Sequence, residues 1–218
     1  MGDQGYGDFE FERRFYVQSL PAVVLEDPTP NLIVQNYYLA NQGHAIRVRA
    51  QGPGVRLEMT GSENIAEILE EHANAFDFCA ITVKGPMNGG TRYEAEREID
   101  LNVGLNMLRL GGDPIIKNRY ALWLGADGWV IDVFGGQNKP LIVAECERSG
   151  PVTDLSIPSF CTSEVTEDKR FSNESLSHSP FATWARDYQA TLASTGPTFM
   201  QSLGTNTIEK PAANEFNL

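Results

Sequence analysis

The sequence has no run of 18 or more apolar residues, and no basic segment leading into an apolar stretch near its start. Neither a membrane-spanning helix nor a cleaved leader is expected, so the expected location is cytoplasmic, with no membrane partner. Cysteine is scarce. Cys79, Cys146 and Cys161 are odd in number and lack CxxC spacing, which argues against a disulfide framework or a zinc site and for reduced packing thiols. The three histidines, His44, His72 and His178, fall in a turn, a helix and a loop, as surface residues rather than ligands. Positive charge is also short: 17 Lys and Arg against 29 Asp and Glu leave a formal net charge of −12. A general nucleic-acid or anionic-membrane surface is therefore not expected. Any anion site must concentrate its Arg and Lys locally, against the global sign.

What the chain does have is enough apolar residue, 41% of 218, for one real core. The expected division is a loose, Gly-rich 1–7, a folded domain over 8–193 and a polar, flexible tail over 194–218. Strands are expected at 9–17, 31–39, 45–50, 78–84, 91–98, 114–124, 129–134, 141–147 and 163–166. Val55–Thr60 reads as a continuation of the meander. The loop Asp27-Pro-Thr-Pro30 separates the first two strands. Helices are expected over 62–76, behind a capping box at Thr60-Gly-Ser-Glu63, over 100–110, capped by Asp100, and over 179–193.

The informative pattern is charge at every second strand position. It begins in Glu10-Phe-Glu-Arg-Arg14, where Glu10, Glu12 and Arg14 share one face, about 6–7 Å apart, and Phe11 and Arg13 take the other. The same spacing recurs in Arg47/Arg49, Arg92/Glu94/Glu96, Lys117/Arg119 and Glu145/Glu147, and Lys84 and Asp132 add single charges on two more strands. Any one pair is ordinary for a solvated sheet face or a cross-strand ion pair. Together, on strands otherwise so apolar, they fit an α+β protein whose strands close into a barrel with every charged face turned to one lumen. Such a mixture is too costly for a packed core but suits a highly charged ligand with divalent cations. Arg14, Arg47, Arg49, Lys84, Arg92, Lys117 and Arg119 would grip phosphoryl oxygens. Carboxylates would hold Mg²⁺ or Mn²⁺, which prefer oxygen ligands. Cys146, lying between Glu145 and Glu147, must face away from that lumen and pack.

These residues closely resemble the CYTH group of the triphosphate tunnel metalloenzyme superfamily. Its hallmark ExExK appears as Glu10-Phe-Glu-Arg-Arg14, with Arg14 in the lysine position. Then follow, in the family's order, Ile33-x-Gln35-x-Tyr37, Arg47-Val-Arg49, Thr82-Val-Lys84-Gly-Pro86, Arg92-Tyr-Glu94-Ala-Glu96, Lys117-Asn-Arg119-Tyr120, Trp129-x-x-Asp132-Val-Phe134-x-Gly136, Leu141-x-x-Ala-Glu145-Cys-Glu147 and Glu164-Val-Thr166. The segment from Arg170 to Leu176, with Pro180 and Trp184, is similar to the family's C-terminal helix entry, so the resemblance covers about residues 8–190. It implies an eight-stranded antiparallel tunnel barrel with flanking helices, of the compact bacterial triphosphatase-like kind. It also implies Mg²⁺- or Mn²⁺-dependent hydrolysis of a triphosphate, foremost tripolyphosphate to phosphate and pyrophosphate. Nucleoside or thiamine triphosphate are the related substrates. By motif position, Glu10, Glu12, Glu145 and Glu147 are the first candidates for metal ligands. Glu94, Glu96 and Asp132 follow for a second ion, and Glu164 for the tunnel lining. Lys84 or Lys117, with a lowered pKa, would order or deprotonate the attacking water. Within the fold the alternative is a class IV-like adenylate cyclase; outside catalysis it is a polyphosphate or nucleotide sensor. A monomer or homodimer is expected.

Overall fold

A computed structural model describes residues 8–26 and 29–209. The expectations for 1–7, for the Asp27-Pro28 half of the first loop and for 210–218 lie outside the described residues. In chain order the elements are β1 Phe9–Val17, α1 Ala22–Glu26, β2 Asn31–Asn41, β3 His44–Pro53, α2 Ile65–Glu71, β4 Phe78–Lys84, β5 Thr91–Glu98, α3 Leu101–Arg109, β6 Asp113–Leu124, β7 Asp127–Phe134 and β8 Ile142–Arg148. Then come β9 Ser156–Ile157, β10 Cys161–Glu164, α4 Asn173–His178, α5 Ala185–Thr195 and β11 Thr207–Ile208. Among the described residues, no helix is long and apolar enough to cross a membrane.

Eight antiparallel strands run β1-β5-β4-β3-β2-β6-β7-β8, and β8 pairs back with β1 to close the barrel. β1 is long enough to serve three partners. Its first half pairs with β5, its second half with β10, and its other edge with β8. Residues opposite one another on paired strands share a face. Glu12 lies opposite Glu147, Arg14 opposite Glu145, Glu10 opposite Arg92, Lys84 opposite Glu94 and Arg119 opposite Asp132. The alternation on each strand is thereby carried around the ring, and the charged positions face one interior.

That interior changes character along its length. One step further along the same inward rows stand Tyr16, Tyr37, Ala45, Ile115, Phe134 and Val143, packed with Phe171, Leu176, Phe181 and Tyr188. One end of the barrel is thus filled by an apolar layer beneath α4 and α5, and the charged part of the lumen stands above an apolar floor. Outside the wall, Phe11, Phe15, Trp129, Ile131 and Cys146 pack under the β9–β10 segment, and Leu32, Val34, Val48, Ala50 and Cys79 pack under α2 and α3. α3 comes close because of Gly104: a Cβ there would stand 2.1 Å from the Cys79 sulfur. Asp100 caps this helix as expected, accepting from the Val103 amide.

Three expectations are corrected. Val55–Thr60 is not a strand. Both edges of β3 are already paired, and the segment instead exchanges two hydrogen bonds with the Asn118 side chain at Leu57. The helix expected over 62–76 shortens to α2, capped by Asn64, followed by a short turn of 3-10 helix. The helix expected over 179–193 is two pieces, a 3-10 turn at Phe181–Thr183 and α5, and Pro180, which has no amide to donate, separates them from α4 before it. Part of the segment after Ser194 is also tied to the fold, as far as Glu209. The Thr198 carbonyl accepts from the Glu164 amide, the Met200 amide donates to the Glu164 carboxylate, and β11 pairs with β9.

Candidate active site

The charged lumen encloses about 300 Å³. Arg14, Arg47, Arg49, Lys84, Arg92 and Arg119 line it, interleaved with Glu10, Glu12, Glu94, Glu96, Glu145 and Glu147. Six of the eight strands, β1, β3, β4, β5, β6 and β8, supply one to three of them each by alternation, so the cavity is a direct consequence of barrel closure. The cations hold the acids in a ring of ion pairs. Arg92 donates to Glu10 at 2.5 Å and lies 3.3 Å from Glu174. Arg14 donates to Glu12 and stands 3.3 Å from Glu145, and Lys84 donates to Glu94. Arg47 and Arg49 share Glu96, at 3.0 and 2.9 Å, and Arg119 reaches Glu145 at 3.1 Å.

The acids do not titrate alike. Burial pushes Glu10 up, but Lys84 and Arg92 outweigh it and hold this carboxyl well below its usual range. Burial drives Glu12 up to about 7, with the charges of Glu10 and Glu145 adding to the effect against the pull of Arg14. Glu147 is also raised, by burial and then by Glu10 and Glu145. Burial lowers Lys84, aided by the nearby Arg47 guanidinium.

Two acids and one cation of the expected lumen set stand elsewhere. Glu164 does not line the tunnel. It lies opposite Phe15, an outward residue, and so faces out. There it takes a bidentate bond from Arg13, at 2.8 and 2.7 Å, with Thr166 donating at 2.8 Å. Lys117 and Asp132 face inward but form a buried layer outside the cavity lining. Asp132 accepts from Lys117 at 2.6 Å and from both nitrogens of Arg119 at 2.7 Å, so both its oxygens are committed and it anchors cations rather than offering a metal a free edge. Burial, with Arg119 close by, lowers Lys117 to about 8. Its ammonium is already divided between Asp132 and Asn173, the latter 3.0 Å away. His44 and His178 are exposed and none of the histidines reaches the lumen, while all three cysteines are free and buried.

No family model matches the chain. A curated inorganic triphosphatase from Acetivibrio thermocellus is 34% identical over 103 residues, which are 46% of this chain and 66% of that protein. The chain thus spans slightly under two thirds of the length of that relative. The chain is similar to that inorganic triphosphatase, and its closed barrel carries the motifs that resemble the CYTH group of the triphosphate tunnel metalloenzyme superfamily.

Among solved structures, that of the inorganic triphosphatase NE1496 covers 77% of this chain and 93% of its own, at 24% identity and a TM-score of 0.48. The Hippeastrum protein HpAC1, named as an adenylyl cyclase with a dominant triphosphatase activity, covers 65% and 80%, at 16% identity and a TM-score of 0.41. At these TM-scores neither likeness adds weight. The resemblance to the CYTH group rests on the closed barrel, its motifs and the curated relative. Two residues of the site escaped the strand pattern, Asn173 and Glu174, because they enter from α4. The only signal for them was their place in the segment similar to the family's helix entry.

Among the described residues no three His, Cys, Asp or Glu side chains are already gathered as a metal site. The donor set nonetheless fits a hard divalent ion, being carboxylate oxygen throughout. Glu12 and Glu147 are held in a neighbourhood of like charge that a bound cation would relieve.

Proposed function

We propose that the lumen binds the triphosphate moiety of a small molecule and hydrolyses its phosphoanhydride bond, with tripolyphosphate the foremost substrate and Mg²⁺ or Mn²⁺ as cofactor. The observation that carries this reading is the cavity itself: six cations and six carboxylates around about 300 Å³ above an apolar floor. A linear triphosphate carries enough charge to replace the carboxylates as the partner of those cations. Arg14, Arg47, Arg49, Arg92 and Arg119 would grip non-bridging oxygens through their planar forks. Glu10, Glu12, Glu145 and Glu147 would hold the metal, with Glu94 and Glu96 toward a second ion. When bound, the metal would neutralise developing charge on the phosphoryl group and position water.

Lys84 takes the water-ordering role, since it lines the cavity and its ammonium is held below its usual range, whereas Lys117 is confined behind the wall. Water oxygen attacks the terminal phosphorus, the bond to the bridging oxygen breaks, and pyrophosphate leaves with the electron pair. The attacking water's proton passes to the departing pyrophosphate or, when Lys84 stands as the neutral amine, to its nitrogen. The curated inorganic triphosphatase supports this direction.

The test is direct. Purified protein is incubated with tripolyphosphate, ATP or thiamine triphosphate, each with Mg²⁺, Mn²⁺ or EDTA, and phosphate, pyrophosphate and cyclic AMP are measured. Metal-dependent phosphate and pyrophosphate in equal amounts from tripolyphosphate are expected. Cyclic AMP from ATP would replace this reading with a cyclase. Tight binding without product would replace it with a sensor.

A further inference from the structure

A second cavity of about 570 Å³ adjoins the charged lumen at Arg14, between the β2–β3 turn, the β4–β5 turn and α4. Arg14 lines both cavities, Asn173 lines the first and Glu174 the second. Arg14 from β1 and Glu174 from α4, which feels the Arg14 charge, therefore stand where the two cavities meet. Glu174 stands 3.3 Å from Arg92, and its carboxyl is lowered below the usual range, against burial, by Arg92 and then Arg14. Its other oxygen, Oε2, is buried and has no hydrogen-bond partner among the described residues. A fixed negative charge thus occupies the far end of the phosphate-gripping row, where it satisfies the cations a further phosphoryl group would need.

The second cavity offers no replacement for them. Its charged lining is Arg14 and Lys169 against Glu167 and Glu174, with His178 exposed at its edge, and the rest is hydroxyl, amide and apolar surface such as Met87. An anionic chain running on from the lumen would meet Glu174 first and then a region without net positive charge. Like charges forced together in a partly desolvated site are strongly unfavourable.

We propose that Glu174 is a specificity-determining residue that ends the phosphate site at three phosphoryl groups and excludes longer linear polyphosphates from the second cavity. This rests on the triphosphate reading of the lumen. It extends that reading by assigning chain-length selection to a residue of α4 rather than to the barrel.

The experiment compares tripolyphosphate with tetrapolyphosphate, by calorimetric binding in the presence of Ca²⁺ to slow turnover and by hydrolysis with Mg²⁺. The proteins are the wild type, Glu174→Gln and Glu174→Asp. The wild type is expected to prefer tripolyphosphate by roughly tenfold or more in affinity, as expected for one like-charge contact. Glu174→Gln, which keeps the side chain's size, should lose most of that preference by gaining affinity for tetrapolyphosphate, and Glu174→Asp should retain it. Circular dichroism and a thermal melt establish that each variant is folded. Equal binding of both chains by an active wild type, or an unchanged preference in folded Glu174→Gln, overturns the role of Glu174 and leaves the triphosphate reading intact. Failure of the wild type to bind either chain overturns both.

Discussion

At the scale of single residues, the lumen's charged groups divide into those that hold one another and those that wait for something else. Asp132 is of the first kind. It is fully buried, and three hydrogen bonds from Lys117 and Arg119 exhaust its oxygens. Removing one member of a buried ionic cluster leaves the others desolvated and unpaired, at a cost of about 3–5 kcal/mol. Asp132→Ala is therefore expected to lower the urea-unfolding free energy by that amount. A loss under about 1 kcal/mol would mean that the Lys117 and Arg119 charges have found water. Glu147 is of the second kind. It is exposed, and its raised pKa means that ionisation is less favourable in the folded chain than in the unfolded one. For an acid with a raised folded pKa, stability falls as pH rises through the ordinary carboxylate range. Glu147→Gln should therefore melt no lower than the wild type at pH 7. Metal-dependent hydrolysis should fall at least as far as the roughly 10–100-fold lost when a ligand's supporting partner is removed. A variant that loses stability while keeping its rate would place Glu147 in the scaffold.

At the scale of elements, the site depends on where connecting segments press against strands. Gly90, in the β4–β5 turn, has φ of 76° and accepts from the Glu12 amide at 2.8 Å. A Cβ there would stand 2.6 Å from the Glu12 carbonyl oxygen, a contact that backbone cannot relieve without moving β1. Gly90→Ala is expected to cost about 1–3 kcal/mol from backbone strain. It should also reduce hydrolysis by more than its stability loss explains, because Glu12 and Arg14 ride on the displaced strand. Paired melting and rate measurements below the transition temperature separate the two effects. Glu63 ties another connection down. It accepts from the amides of Gly61 and Gly136 and from Thr60, fastening the turn before α2 to the β7–β8 connection. Burial would raise it, but these donors, the Gly136 amide foremost, bring it from 4.5 down to about 2. With the folded pKa below the unfolded one, its contribution is complete above about pH 4.5 and is lost as pH falls toward 2. Melting temperature followed from pH 2 to 6 should rise less steeply in Glu63→Gln than in the wild type. Parallel curves would mean that the carboxylate is not held by these amides in solution.

These connections also mark the limit of what was legible in the sequence. Alternation on a strand is a local property, so the lumen set could be read from Glu10 through Glu147 without coordinates. Whether an inward charge lines the cavity or supports its wall is a matter of depth, and nothing in the spacing of Lys117 and Asp132 separates them from Arg119. Glu164 was misplaced for a different reason. Its strand joins β1 opposite Phe15, so its face is set by a partner 149 positions away in the chain rather than by its neighbours. Val55–Thr60 has strand-like alternation, but a closed barrel leaves no edge for it to pair with. Thr60 and Glu63 do hydrogen-bond as a capping box would, yet they close a turn and the helix starts later, at Asn64.

At the scale of the whole molecule, the ring of ion pairs lies at the centre and the apolar clusters lie around and beneath it. Cys146 and Cys161 belong to the cluster under the C-terminal segment, and Cys79 to the cluster under the helices on the far side of the wall. None of the three lines the lumen, and burial raises each thiol, to about 11 for Cys79 and about 12 for Cys146. A thiol reagent at pH 8 should therefore label the native protein only through opening of the fold. Tripolyphosphate with Ca²⁺ bound in the lumen would engage side chains from β1, β3, β4, β5, β6 and β8 at once, so opening of any part of the ring must first release it. At a ligand concentration about 100 times the dissociation constant, the linkage is worth about 2.7 kcal/mol, or close to a 100-fold drop in the open population. Labelling of all three cysteines should slow by about that factor, although the ligand touches none of them. If Cys79 slows while Cys146 and Cys161 do not, the segment covering the latter pair opens independently of the ring. If none slows at saturation, the lumen does not bind its ligand as a closed ring, and the barrel's closure is not what fixes the geometry of the site.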